Sequence, residues 1–78
     1  MLIVFYYNTW NDDQIHVRFE DVANDCDFLE IHEALSAYLA LKGVSVHESA
    51  FEEAPSVITG SIDDMIERGK KLIREQND

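Results

Sequence analysis

The sequence predicts a small α+β domain of order ββαβ(β)α, its two helices packed on one face of a small antiparallel or mixed sheet. Three observations lead there. An apolar run at residues 2–7 is followed, across a polar turn, by a run that alternates apolar and polar side chains. Two later segments space their apolar residues helically, and further short β-type runs lie between them. No repeat, low-complexity tract or Gly/Pro-rich linker interrupts the chain, so residues 1–78 read as a single domain.

Leu2, Val4 and Tyr6 alternate with Ile3, Phe5 and Tyr7, and both sets are apolar. Such a strand is covered on both faces or lies centrally in its sheet. Residues 8–13 (Asn-Thr-Trp-Asn-Asp-Asp) supply a turn, and Ile15, Val17 and Phe19 then alternate with Gln14, His16, Arg18 and Glu20, completing an antiparallel hairpin. A helix is expected over residues 28–42, on the spacing of Phe28, Ile31, Leu35, Tyr38 and Leu39. Asp25 or Asp27 caps its start, and Gly43 stands where a left-handed terminator belongs. Its outer side is only partly polar, mixing Asp27, Glu30 and Glu33 with Leu29, Ala37, Ala40 and Leu41.

Residues 44–47 read as a third strand, residues 48–55 as an acidic loop and residues 56–59 as a short fourth strand. Ser61 and Asp64 form a capping-box start to the last helix, with Asp in place of the usual Glu or Gln. On it Ile62, Met65, Ile66, Gly69, Leu72 and Ile73 fall on one arc. Gly69 weakens that helix by about 1 kcal/mol relative to alanine, which a close packing contact would explain.

The chain has 78 residues, 16 Asp plus Glu and 6 Lys plus Arg, for a formal net charge of −10. Nucleic acid is excluded as a direct ligand, because phosphate binding relies on Lys and Arg to displace counterions. The excess is uneven. Residues 1–60 hold 11 acids against Arg18 and Lys42, whereas residues 61–78 hold 5 acids against Arg68, Lys70, Lys71 and Arg74. In the last helix Asp64–Arg68 and Glu67–Lys71 are i, i+4 pairs of favourable polarity. Eight acids, Asp12, Asp13, Glu20, Asp21, Asp25, Asp27, Glu30 and Glu33, fall in one stretch with Arg18 as its sole cation. Their mutual repulsion costs stability. With Trp10, set in the turn beside Asp12 and Asp13, they are the expected partner-binding residues: aromatics ringed by charge anchor interfaces.

Carboxylates in a row can occupy a protein groove built for phosphates, with association steered electrostatically and weakened by salt. The expected function is therefore non-enzymatic: an inhibitor or regulator seated on the basic surface of a nucleic-acid-processing protein. In size and charge the chain is similar to small phage and plasmid inhibitors of such enzymes, DNA mimics with anti-defence roles among them. That similarity is one of composition and transfers no residue. Two alternatives stand beside it: an antitoxin or immunity-type protein neutralising a basic toxin, and a small homodimeric adaptor whose partly apolar first helix covers a twin.

Catalytic and metal signals are weak. His16, His32 and His47 lie on three separate elements, and Ser36 stands where a metalloprotease helix beginning at His32-Glu33 would carry its second histidine. Cys26, between Asp25 and Asp27, is not expected to act as a nucleophile. Gly43, Gly60 and Gly69 are too scattered for a phosphate loop. No cofactor and no metal are expected. A single cysteine leaves no intramolecular disulfide, so a reducing, cytoplasmic setting is expected. Residues 1–7 are too short an apolar run for a membrane span or a signal peptide, and no membrane partner is expected.

Overall fold

The first strand carries apolar side chains on both faces, and every other element is arranged to cover it. A computed structural model of the chain describes residues 2–23, 25–54 and 61–77. Its elements are β1 (Leu2–Thr9), β2 (Gln14–Phe19), α1 (Phe28–Leu41), β3 (Val46–Ala54) and α2 (Ile62–Gln76). The three strands form one antiparallel sheet in the order β2-β1-β3. Class and element order are as the sequence predicts. None of the helices is long and apolar enough to cross a membrane among the described residues.

Because β1 opposes both neighbours, β2 and β3 run in the same direction, and the chain must pass from one sheet edge to the other. α1 makes that crossing over one face. There Ile3, Phe5 and Tyr7 meet Leu39, with Phe28, Ile31 and Leu35 packed around them. α2 follows β3 and covers the opposite face, where Val4, Tyr6 and Ala50 meet Ile73, with Met65 and Leu72 alongside. The expectation of both helices on one face is thus corrected to a helix–sheet–helix sandwich. The reason lies in β1: with both alternating sets apolar, a single helical layer would leave Val4 and Tyr6 or Ile3, Phe5 and Tyr7 in water, at about 1.5–3 kcal/mol for each large side chain. Tyr6 and Tyr7 are completely buried, and each hydroxyl finds a partner, Glu52 for Tyr6 and Nδ1 of His32 for Tyr7.

The helix ends follow local chemistry. Oδ1 of Asp27 accepts from the backbone N–H groups of Leu29 and Glu30, at 3.0 and 3.2 Å, and begins α1. At its other end Gly43 takes φ +79°, its N–H donates to Ala40 O and that of Val44 donates to Leu39 O at 2.9 Å, a Schellman termination. Ser61 and Asp64 exchange hydrogen bonds as a capping box, at 3.1 and 3.2 Å.

β3 departs from expectation. Residues 48–54, expected as loop, continue the strand, pairing Glu48 with Asn8, Ala50 with Tyr6 and Glu52 with Val4. Glutamate disfavours strands, but the pairing with β1 overrides that preference. The short fourth strand expected at residues 56–59 lies outside the described residues. On α2, Met65, Ile66, Gly69, Leu72 and Ile73 turn inward, while Ile62, counted in the same arc, is exposed.

At Gly69, buried on α2, the helix lies close against the sheet. A Cβ built there would stand 2.6 Å from Cδ1 of the buried Tyr6 and would also strike the Gln14 side chain. Gly69→Ala should therefore destabilise the fold by about 1–3 kcal/mol from overpacking, although alanine is the better helix former by ~1 kcal/mol. Urea unfolding measures it, with the exposed Lys70→Ala as the neutral control.

Candidate functional site

The hairpin turn is organised by Thr9. Its side-chain oxygen accepts from the N–H groups of Asn11 and Asp13, at 3.3 and 3.1 Å, and its own N–H donates to Asp13 O at 2.8 Å. Asp12 takes φ +63°, a conformation that aspartate tolerates better than most residues. With the backbone so fixed, Asp12 and Asp13 stand in solvent. Trp10 is tied in by its N–H to Ser45 O and its ring rests on His47, with centroids 3.8 Å apart, yet it remains 65% exposed.

The other acids lie elsewhere. The length of β2, about 20 Å at ~3.4 Å per residue, separates Asp13 from Glu20. Glu20 pairs with Arg18 at 3.0 Å, and Asp21, at φ +55°, turns the chain toward α1. Asp25, Asp27, Glu30 and Glu33 follow along the entry to α1 and its outer side, all exposed. All nine residues expected to bind a partner are thus exposed, but they divide into a group at the hairpin turn and a group around the start of α1. Apart from Arg18–Glu20, none of these acids has a Lys or Arg within ion-pair distance among the described residues.

Around the second group lies a feature that sequence reasoning missed. An open groove of about 670 Å³ runs between the start of α1 and β3, lined by Phe5, Phe28, Leu29 and Phe51 and by the carboxylates of Asp25 and Asp27. Phe28 stacks on Phe51 with centroids 5.2 Å apart, and Phe51 leans on Phe5 at 5.8 Å. Phe51 is 41% and Leu29 64% exposed. On the far side Gln76 and Asn77 reach back from the end of α2. Gln76 accepts from Phe51 N–H at 3.1 Å and donates to Phe51 O at 2.7 Å, and Asn77 donates to Ser49 O at 3.2 Å.

The opposite face of the sheet holds a polar cluster. Arg68 makes two 2.6 Å hydrogen bonds to the Glu52 carboxylate, which also accepts from the Tyr6 hydroxyl. The expected Asp64–Arg68 pair gives way to this one, Asp64 being engaged in the helix cap. Beside it His16 Nε2 lies 2.6 Å from Oε1 of Gln14, while Gln14 donates to Asn8 at 2.8 Å. Burial opposes ionisation of Glu52, but hydrogen bonds from Arg68 and Tyr6 outweigh it and hold its carboxyl below the usual range. Burial also pushes His16 down and Tyr7 up to about 12, and burial followed by the bond to Glu52 raises Tyr6.

His32, half-buried, stacks on Tyr7 at 5.7 Å with near-parallel planes and also lines the groove. Among the described residues no three His, Cys, Asp or Glu side chains converge as a metal centre would require. In comparisons with known proteins, no family model, no curated protein and no solved structure matches this chain.

The Glu52 site has a pH signature. A carboxyl held below its unfolded value stabilises the fold above that value, about 4.3–4.5, and the contribution is lost as pH falls through the lower folded pKa. Glu52→Gln should cost about 1–3 kcal/mol at pH 7, by leaving Arg68 and Tyr6 without their anion. The gap from the parent should narrow as pH drops below that range, as urea unfolding at stepped pH would show.

Proposed function

We propose that the chain is a non-enzymatic binding module that occupies the basic surface of a nucleic-acid-processing protein. The observation that carries this reading is the exposed run of acids from Asp12 to Glu33, in which only Glu20 has an ion-pair partner among the described residues. Charge left uncompensated in so small a domain is self-repelling, and a partner rich in Lys and Arg removes that cost on binding. Asp27, Glu30 and Glu33 recur about one helical turn apart and present carboxylates at ~5–6 Å intervals to cations that otherwise meet phosphates. Trp10 supplies a large, rigid apolar contact beside Asp12 and Asp13.

A partner also accounts for the outer side of α1, where Leu29, Ala37, Ala40 and Leu41 are exposed among Glu30 and Glu33. A second copy laid on this side would bring glutamates against glutamates, whereas a basic surface would not.

Capture on the immobilised chain tests the reading. A nucleic-acid-binding protein should be retained from a cell lysate and released by moderate salt or by competing duplex DNA or RNA. The charge reversals Asp13→Lys, Glu30→Lys and Glu33→Lys together should weaken retention by roughly a hundredfold or more. They spare the Asp27 cap and the Tyr6–Glu52–Arg68 cluster. Retention that withstands both salt and charge reversal would contradict the proposal.

A further inference from the structure

The groove beside α1 combines features that narrow what it can hold. Its volume, about 670 Å³, suits a few side chains. Its lining includes the stacked rings of Phe28 and Phe51 together with exposed Asp25 and Asp27, the latter with Oδ1 engaged in the α1 cap, and no Lys or Arg is among the described lining residues. Aromatic faces and carboxylates share one complement, a cation with an apolar body, and the planar guanidinium suits both because it stacks on rings and pairs with carboxylates. Beside the groove strand addition is opposed at Ser49 and Phe51, since Gln76 takes both backbone hydrogen-bonding groups of Phe51 and Asn77 takes Ser49 O. The occupant must enter by its side chains. A second copy of this chain, at a net charge of −10, is disfavoured by the same carboxylates.

We propose that the groove takes an arginine-bearing, apolar segment of a basic protein partner, with a guanidinium over the Phe28–Phe51 pair beside Asp25 and Asp27 and a neighbouring apolar side chain against Leu29. This rests on the reading of the chain as a module that binds a basic protein, and it assigns where specificity is added to charge. Carboxylates spread over the surface attract any cationic protein; a groove that seats an apolar residue next to an arginine selects among them.

The test is a titration of the intact chain with a short acetylated, amidated peptide of alternating arginine and leucine, followed by amide proton–nitrogen correlation spectra. Shifts should concentrate at Phe28, Leu29, His32 and Phe51. Serine in place of leucine should weaken binding roughly tenfold or more, since the apolar contact is lost. Leu29→Arg should weaken it to a similar degree, whereas Ala37→Arg, which adds the same charge outside the groove, should change it by less than about twofold. Equal losses for these two variants, equal binding of the serine peptide, or shifts spread evenly over the acidic residues would overturn the proposal. The two readings fail separately. A captured partner that Leu29→Arg still retains in full would remove the groove and leave the charge-driven function standing; a peptide seated as expected with no basic protein captured would do the reverse.

Discussion

Burial of β1 on both faces is the constraint on which the other elements depend. Paired along both edges, Leu2–Thr9 places Ile3, Phe5 and Tyr7 on one side and Val4 and Tyr6 on the other, all but sealed from water. One helix cannot shield both sides. The crossover from β2 to β3 delivers α1 to the first face, and the continuation beyond β3 delivers α2 to the second. Polar groups that enter these layers are then bound to be satisfied: Tyr6 finds Glu52, Glu52 finds Arg68, and Tyr7 finds His32. Among the described residues no buried side-chain nitrogen or oxygen lacks a partner.

This arrangement also decides where the charge goes. Arg68, one of the few cations, is engaged from the surface by Glu52, whose side chain is only 11% exposed, and Arg18 takes Glu20. The acids of the hairpin turn and of the start of α1 face solvent with no ion-pair partner among the described residues. The groove arises from the same geometry. At the start of α1, Phe28 stacks on Phe51 of β3 while Leu29 stays exposed, and an apolar trough lined by all three remains beside two carboxylates.

What the sequence discloses is what short-range chemistry controls. The Asp27 cap, the Gly43 termination and the Ser61–Asp64 box each involve residues a few positions apart, and each is legible from spacing. The two-sided pattern of β1 is equally plain, and it already argues against two helices on one face. The acid-rich β3 is not legible, because its stability comes from pairing with β1, some forty residues earlier, against the preference of its own glutamates. Arg68 has a local partner in Asp64 and is misread for that reason; the choice of Glu52 depends on α2 lying over the sheet. Exposure of Trp10 and the acids is legible from polarity alone. The groove is not, since it forms where residues 25–29, 49–51 and 76–77 meet.

The most direct measurement is a set of proton–proton Overhauser contacts from the side chains of β1. Ile3, Phe5 and Tyr7 should give contacts to His32 and Leu39 of α1, and Val4 and Tyr6 to Gly69 and Ile73 of α2, with no mixing between the two sets. Contacts from both alternating sets to the same helix would contradict the two-faced architecture and, with it, the placement of the acidic surface and the groove.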